Sequence, residues 1–349
     1  MDPAPEESRK HPTSAKFTAE EIARMFVRHT HQHIPDARWH FEIALREGSR
    51  LISSEYSVPA PGGPLVSLAL FNCPEQPFSV EVFGMHLLHE IDPADWLDVY
   101  IESVGIFEIM SRRRVSTPAG DLGDLLVRWD YDNKTFVGRM ACLKAGARLI
   151  LLSFRTAEPE YPVNADIFFT TLMNFQLLDQ SGGPLAESVQ YASNQWPHPW
   201  RVAVPSSWQI VEQPTTPAMA TLQFLLPVKL EKGTVTAGKI TFSVVESRQL
   251  EMEQQAFNSV NETLKAAGIS AESGLFFPEP DPKNGVHSWI LRTQGTLQNQ
   301  PMEINARVMQ HPRGWVIVIA FGPPREQSPA YWMQVKRTVD VLTMSMEFV

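Results

Sequence analysis

The sequence predicts an α+β protein of two similar domains, each a curved and mostly antiparallel sheet packed against helices. Three observations lead to this prediction. The 349 residues suffice for about two domains, the longest apolar runs have the length of strands, and one order of elements occurs twice along the chain. With 43% hydrophobic residues, the chain can fill a core in each domain.

A polar tail and a short amphipathic helix are predicted for residues 1–38. Thr18 and Glu21 have the spacing of a capping box, in which both side chains bind free N–H groups of the first helical turn. Pro35 would end this helix. Apolar or aromatic residues follow the cap at helical spacing, namely Ile22, Met25, Phe26 and His29.

The N-terminal domain is predicted to span residues 39–179. Asp92 suits the N-cap of its first helix, Pro93 the first helical position and Gly105 the end of the helix. The predicted strands are 39–45, 65–71, 78–83, a hairpin of 125–130 with 136–143, and 147–154, and the predicted helices are 92–105 and 164–178.

A linker over residues 180–196 is predicted because glycine, serine and proline interrupt the periodicity there. The C-terminal domain then spans residues 197–349 and repeats the order of the first. Its predicted strands are 201–208, 220–226, 239–245, a hairpin of 289–293 with 302–309, and 315–321, and its predicted helices are 251–268 and 329–344.

A tandem duplication follows from aligning the two closing segments at an offset of 167 residues. This offset places Leu152 on Ile319 and Pro162 on Pro329. The apolar runs of these segments predict central, buried strands, since unbroken apolar runs are typical of strands covered on both faces. The residues expected in these cores are Leu149, Leu151, Val316, Val318 and Phe321.

The opening of the C-terminal half, Val204-Pro-Ser-Ser-Trp208, and the final strand, loop, proline and helix resemble a known family. The order is similar to the α+β fold of the photosystem protein PsbP, the Ran-binding factor Mog and the bacterial DcrB-like proteins. The last group includes chaperones for type VI secretion effectors. The N-terminal half lacks the Pro-x-x-Trp opening and resembles the family as a copy of the second half. The resemblance implies a family that mostly binds proteins and seldom catalyses reactions.

The charge balance argues against a general nucleic-acid binder. The chain has 30 Lys and Arg residues against 39 Asp and Glu residues, a net charge of −9, and phosphate contacts need a positive field. Neither a membrane-spanning segment nor a signal peptide is recognisable, so we expect a cytoplasmic protein without membrane insertion. No cofactor is expected.

Histidines offer an alternative function. His29, His31 and His33 alternate, with His40 nearby, and alternating imidazoles in an extended segment can share one face and bind zinc. The alternative interpretation is that they lie at a helix C-terminus, where the helix dipole favours histidine. A metal-dependent or cysteine enzyme is therefore the second hypothesis. Cys142 is expected to be buried in a strand, and Cys73 to lie in a loop.

Aromatic residues near the linker and the last helix are the predicted partner-binding residues. They are Trp196, Trp200, Tyr331 and Trp332, because tryptophan and tyrosine are frequent at binding hot spots. The basic run Arg112, Arg113 and Arg114 is a further candidate for an acidic partner. We expect the two copies to frame a groove near these aromatics, and alanine at Trp200 or Trp332 to weaken binding without changing thermal stability.

These observations predict a non-catalytic protein-binding or scaffold protein, with an adaptor or chaperone of a secretion system as its specific form. The partner is expected to be another protein, because a net charge of −9 disfavours polyanions.

Overall fold

The structure is a computed structural model, and it describes residues 11–52, 56–74, 77–117, 120–231, 233–247, 253–271, 274–279 and 286–349. The chain divides into two compact units. Unit 1 consists of Met1–Leu88 and Asp92–Ala186, and unit 2 of His89–Ile91 and Glu187–Val349.

Unit 1 is rich in strands and has few helices. Its elements in chain order are α1 (Ala19–Met25), β1 (Phe26–His31), β2 (Phe41–Arg46), β3 (Arg50–Ile52), β4 (Ser57–Ala60), β5 (Gly63–Cys73), β6 (Phe78–His86), α2 (Pro93–Val104), β7 (Glu108–Val115), β8 (Leu122–Tyr131), β9 (Lys134–Ala145), β10 (Arg148–Ala157), α3 (Tyr161–Met173) and β11 (Phe175–Leu177).

Unit 2 has the same character. Its elements are β12 (Val189–Asn194), β13 (Trp200–Pro205), β14 (Gln209–Glu212), β15 (Met219–Leu230), β16 (Gly233–Glu246), α4 (Glu253–Ala266), β17 (Ser270–Ala271), β18 (Phe277–Pro278), β19 (His287–Leu297), β20 (Gln300–His311), β21 (Gly314–Gly322), α5 (Pro329–Ser345) and β22 (Glu347–Phe348).

The two units repeat one strand order. The eight-stranded sheet of unit 1 runs β3-β5-β6-β10-β9-β8-β7 with β4 paired to β5, and that of unit 2 runs β14-β15-β16-β21-β20-β19-β17 with β18 paired to β19. Each unit also has a three-stranded sheet, β1-β2-β11 or β12-β13-β22. The pairings in both large sheets are antiparallel. The predicted repetition of element order is therefore present in the strand topology.

Each large sheet is buried around its central strand, β10 or β21. The predicted core residues Leu149, Leu151, Val316, Val318 and Phe321 are all buried, which confirms the prediction for these two strands. In unit 1, Phe154 of β10 packs on Phe168 of α3 with ring centroids 5.1 Å apart. The other face of this sheet lies under α2, where a Cβ atom at Gly123 would lie 2.8 Å from Ala94.

Local sequence signals account for α2 and for the two long hairpins. One carboxylate oxygen of Asp92 accepts hydrogen bonds from the backbone N–H groups of Ala94 and Asp95, and Gly105 ends the helix in the left-handed conformation. The turn between β8 and β9 has positive φ at Asp132 and Asn133. Such two-residue turns match the twist of the strands they join. The hairpin of unit 2 has the same conformation at Gln298 and Asn299.

The predicted amphipathic helix is shorter than its pattern indicates. The capping box of Thr18 and Glu21 is present, but α1 ends at Met25, and Phe26 to His31 form β1. This strand pairs along its whole length with β2. The backbone groups of β1 gain partners in β2, and this outweighs the helical spacing of Phe26 and His29. Residues predicted to precede the first domain thus belong to a sheet of unit 1.

The 167-residue offset is wrong by one residue in the strands. The β9–β10 hairpin pairs Ala145 with Arg148, and the β20–β21 hairpin pairs His311 with Gly314, so the strands align at an offset of 166. A slip of one residue exchanges the faces of a strand. At an offset of 166, Leu152 aligns with Val318, and both residues lie in the core clusters that contain α3 and α5.

Two further element boundaries differ from the prediction. The second helix of unit 1 starts at Tyr161 rather than near 164, because Pro162 fits its first turn, and residues 175–177 form β11 instead of continuing the helix. The predicted linker 180–196 contains β12, which pairs with β13 along its length. The break in periodicity therefore did not mark a continuous irregular segment.

Candidate functional site

The two units differ most on the sheet face that lies under α2 in unit 1. The pairings of β8, β9 and β10 match those of β19, β20 and β21 at an offset of 166 residues. The residues that differ lie toward the β8–β9 turn in unit 1 and toward the β19–β20 turn in unit 2. In unit 1 they are Trp129, Phe136, Gly138, Ser153 and Arg155. The equivalent residues of unit 2 are Gly295, Met302, Ile304, Ile319 and Phe321.

In unit 2 this face is part of an apolar core. Ile304, Ile319 and Phe321 are buried in one cluster with Val260 and Leu264 of α4. The helix thus covers the strands with aliphatic contacts. This face of unit 2 has a structural role.

In unit 1 the part of this face near the β8–β9 turn borders an open groove with a volume of about 630 Å³. The groove lies where β5, β6, β8, β9 and β10 reach one end of the sheet. Its walls combine aromatic, proline and polar residues, and they include Trp129, Tyr131, Phe136, Pro74, Pro77 and Arg155. Tyr131 is 71% exposed, so aromatic surface faces solvent here.

The aromatic wall is held in place by ring contacts and by one glycine. Trp129 stacks on Phe136 with centroids 5.7 Å apart and meets Phe107 edge-on at 5.4 Å. A Cβ atom at Gly138 would lie 2.9 Å from the Trp129 ring and 2.6 Å from the Phe154 carbonyl oxygen. Glycine therefore lets the indole lie flat against the sheet. The ring is presented to the groove by β8 and β9, both regular strands.

Arg155 gives the groove a positive charge. Its Nε donates a hydrogen bond of 2.7 Å to Ser79 Oγ, and its side chain is exposed. Within the part of the chain that the structure describes, no carboxylate forms an ion pair with this guanidinium. Aromatic faces beside an uncompensated arginine can bind a ligand that combines apolar surface with an anion.

The buried carboxylate of Glu81 lies on the same face. Glu81 belongs to β6 and is opposite Ser153 of β10, two residues from Arg155. Glu81 Oε1 accepts hydrogen bonds of 2.6 Å from both Tyr56 and Ser67. Burial, and secondly the hydrogen bond to Glu81, raises the pKa of Tyr56, so its hydroxyl remains a donor at neutral pH. These bonds keep the Glu81 carboxylate in place beside the groove.

Of the predicted partner-binding residues at the linker, Trp200 is a core residue. It is 1% exposed and packs on Phe242 with centroids 5.3 Å apart. Its Nε1 donates to the Trp196 carbonyl at 2.9 Å. The expectation that Trp200→Ala leaves stability unchanged is therefore wrong, because the substitution would open a cavity in unit 2. Trp196 itself is 49% exposed, and its role in binding stays a prediction.

Tyr331 and Trp332 lie at the start of α5. Tyr331 packs against the core of unit 2 and is half-buried. Trp332 Nε1 donates to Glu303 at 2.7 Å, and the charged groups of Arg325 and Lys336 lie 5.2 and 5.1 Å from its ring centroid. Trp332 thus has its own partners within unit 2, and its role in partner binding stays a prediction.

The three arginines of β7 each pair with acidic residues of unit 1. Arg112 Nε lies 3.0 Å from Asp98, and Arg114 contacts Asp95 and Asp98 at 2.8 and 2.6 Å. Arg113 pairs with Asp124. A basic run that is matched by carboxylates of the same sheet and helix offers little free charge to a partner.

Of the three alternating histidines, two lie on a strand, in the extended conformation that the alternative hypothesis required, and His33 follows it. His29 and His31 belong to β1, and His31 stacks on Phe41 and lies 5.5 Å from the His33 ring, centroid to centroid. Burial, then the neighbouring imidazoles His33 and His40, lowers the pKa of His31. Among the described residues, no group of three potential ligands is arranged to hold a metal ion.

A serine, a histidine and an aspartate are in contact in unit 1. His11 Nδ1 lies 2.9 Å from Ser111 Oγ, and its Nε2 lies 3.1 Å from Asp124 Oδ1. This is the order of nucleophile, base and orienting acid in hydrolases. Both oxygens of Asp124, however, also accept hydrogen bonds from Arg139. The carboxylate charge is therefore already compensated, and we assign the contact a structural role in anchoring His11 to the sheet.

The cysteines are buried. Both are free thiols, and Cys73 is buried at the end of β5 rather than lying in a loop. Burial raises the pKa of the Cys142 thiol well above its usual value. A thiol held protonated in a core is a poor nucleophile.

The groove residues were missed by the sequence analysis, although one signal was available. The two-residue turn at Asp132 and Asn133 places Trp129 opposite Phe136 and leaves Trp129 and Tyr131 on one face of β8. Arg155 could not be added in this way, because its position depends on the pairing of a third strand.

The fold and this groove define a duplicated, sheet-rich protein in which one copy has an open aromatic site and the other a closed apolar face. None of the described helices is long and apolar enough to cross a membrane. No family model and no curated protein matches the chain.

The chain is similar to several solved structures, at low identity and with low TM-scores. Cyanobacterial PsbP (CyanoP) from Synechocystis sp. PCC 6803 is 14% identical, with a TM-score of 0.32, over 49% of this chain and 99% of its own. The T6SS immunity protein TplEi from Pseudomonas aeruginosa is 10% identical, with a TM-score of 0.22, over 93% of this chain and 97% of its own. A chain of the Tle4–Tli4 complex is 8% identical, with a TM-score of 0.21, over 93% of this chain and 98% of its own. The predicted resemblance to PsbP is thus confirmed as a weak one.

Proposed function

We propose that the protein is a non-catalytic protein-binding protein, and that the groove of unit 1 is its binding site. The observation that supports this proposal is the exposed aromatic wall of Trp129, Tyr131 and Phe136 beside Arg155, a cation without a carboxylate partner among the described residues. The equivalent face of unit 2 is closed by α4. Unit 2 therefore serves as a scaffold in this proposal.

An extended protein segment fits such a groove better than a folded surface does. The site is concave and open, and its wall consists of large side chains on regular strands. Rigid aromatic anchors of this kind concentrate binding energy in few contacts. A role as adaptor or chaperone in a secretion system is the specific form of this proposal, and the cytoplasmic location belongs to it.

An enzyme is the second candidate, and no arrangement in the described residues favours it over binding. The histidines of β1 lack a third ligand in position, and the Cys142 thiol is buried with a raised pKa. The Ser111, His11 and Asp124 contact shares its carboxylate with Arg139. Absence of catalysis thus remains part of the proposal.

Affinity purification from the native host with three proteins tests the proposal. The wild type is compared with Trp129→Ala/Tyr131→Ala and with a matched control, Leu297→Ala, which changes the unit 2 residue equivalent to Tyr131. We expect one protein to be retained by the wild type and the control and lost from the groove variant. Equal retention by all three folded proteins would contradict the proposal.

A further inference from the structure

We propose that the groove of unit 1 recognises an extended, proline-containing segment that carries a carboxylate beside its prolines. This inference rests on the proposed function and names the chemistry of the bound segment. Three features of the groove support it, namely the spacing of its aromatic rings, its exposed surface and the charge of Arg155.

The aromatic rings suit polyproline. Trp129 and Tyr131 are alternate residues of β8 on one face, so their Cα atoms lie about 7 Å apart along the strand. Two residues of a polyproline II helix span about 6 Å. Pyrrolidine rings can therefore pack on both side chains in succession. Because polyproline II is already extended before binding, little conformational entropy is lost when it docks on an aromatic-lined groove.

The exposed ring surface has no occupant from the described part of unit 1. Tyr131 is 71% exposed, and Trp129 and Phe136 are half-buried. Their own contacts use the ring faces that point toward each other and toward Phe107. Among the described residues, no further ring contact covers the faces of Trp129 and Phe136. The equivalent positions of unit 2, Gly295 and Met302, have no comparable ring surface.

The positive charge of Arg155 favours a carboxylate in the bound segment, near its prolines. Arg155 of β10 lies two strands across the sheet from Trp129 and two residues along the strand, so their Cα atoms are about 12 Å apart. Four residues of polyproline II also span about 12 Å. A carboxylate about four residues from the proline on Trp129 would thus come within reach of the guanidinium, which has one hydrogen-bond partner, Ser79, among the described residues. Arginine and carboxylate form strong charge-assisted hydrogen bonds.

Three capped peptides test this inference by titration calorimetry. The first consists of six prolines followed by a glutamate. The second replaces the glutamate by glutamine, and the third keeps the glutamate and replaces the prolines by alternating glycine and serine. We expect the first peptide to bind the full-length protein at least about tenfold more tightly than either of the others.

Variants assign the effect to the groove. Trp129→Ala should weaken the first peptide about tenfold or more. Arg155→Met should remove the difference between the glutamate and glutamine peptides, and Leu297→Ala should bind like the wild type. Thermal melts verify that each variant is folded. Retention of the glutamate preference in Arg155→Met would overturn the assignment of the charge.

The inference and the proposed function fail in different ways. If the glycine–serine peptide binds as tightly as the proline peptide, or if no peptide binds, the inference is wrong. The proposed function then still holds provided that a host protein is lost from Trp129→Ala/Tyr131→Ala. If neither a peptide nor a host protein depends on these residues, both are wrong.

Discussion

Unit 1 and unit 2 arrange their strands in the same order, yet their equivalent sheet faces have opposite character. In unit 1, Trp129 lies over Gly138 and borders an open groove. In unit 2 the sizes are exchanged, because Ile304 lies beside Gly295, where a Cβ atom would come within 2.9 Å of its side chain. One strand topology therefore supports either an open aromatic groove or a closed core.

The two units also differ in the charge on this sheet face. Arg155 of unit 1 is exposed at the groove, and its equivalent Phe321 is buried in the cluster that includes α4. A few side chains on three adjacent strands thus separate an open groove with an exposed charge from a closed apolar core.

The largest effect is expected when the charge of unit 1 is introduced into unit 2. Phe321→Arg would bury a guanidinium among aliphatic side chains, which should lower the free energy of unfolding by about 4 kcal/mol or more. Chemical denaturation measures this loss. The reciprocal change, Arg155→Phe, should alter stability by no more than about 0.5 kcal/mol, since the side chain is exposed. Similar costs for both variants would show that the faces do not differ as described.

Two tryptophan substitutions compare a core position of unit 2 with a groove position of unit 1. Trp200→Ala should destabilise unit 2 by about 3–4 kcal/mol, because a large buried ring is lost and leaves a cavity. Trp129→Ala should cost about 1 kcal/mol, because its ring is half-buried, while the affinity for the proline–glutamate peptide falls about tenfold or more. Denaturation curves together with peptide titrations check this pair. A stability loss at Trp129 as large as that at Trp200 would make Trp129 a core residue.

A pH effect is expected in unit 1 from His11. Burial, opposed by the hydrogen bond to Asp124, lowers the pKa of His11 below its ordinary value of 6.5. The unfolded chain therefore binds the proton at higher pH than the folded chain does. The stability contributed by neutral His11 is present above about pH 6.5 and is lost as the pH falls through the folded pKa.

The variant His11→Gln isolates this effect. It should cost about 1 kcal/mol at pH 7.5 through the altered hydrogen bonds, and the difference from the wild type should shrink toward pH 5. Asp92 acts in the opposite direction, because burial and then Asp95 raise its pKa to about 6, but its contribution cancels in the comparison. Parallel pH profiles of wild type and variant would contradict the role of His11.

The smallest effect is expected at the edge of the sheet. The Arg112 side chain is 44% exposed, and its partner Asp98 is buried but keeps Arg114 as a second partner at 2.6 Å. Arg112→Gln should therefore change the free energy of unfolding by less than about 0.5 kcal/mol and leave peptide affinity unchanged. A clear loss of affinity in this variant would restore the β7 arginines as binding residues.

Local signals predicted much of this fold. The cap of Asp92, the stop at Gly105 and the turn at Asp132 and Asn133 are each determined by neighbouring residues. The duplication was also visible in element order. The alignment offset was misjudged because Leu149 to Leu152 of β10 and most of β21 are apolar on both faces, so a one-residue slip still pairs aliphatic with aliphatic there.

The groove and the strand β1 could not be predicted in the same way. Whether Phe26 to His31 is helix or strand depends on pairing with β2, a tertiary contact. The binding face depends on the register of three strands, which brings Trp129, Phe136 and Arg155 together from separate parts of the chain. The aromatic residues near the linker drew attention instead, and Trp200 is a core residue.

The division of roles between the units is tested most directly by ¹⁹F NMR of protein labelled with 5-fluorotryptophan. The chain has nine tryptophans, and the Trp129 resonance is assigned from its absence in Trp129→Phe. On addition of the proline–glutamate peptide, we predict that the Trp129 resonance shifts while those of Trp289 and Trp315 in unit 2 do not. A shift at Trp289 or Trp315 with none at Trp129 would contradict the assignment of binding to unit 1.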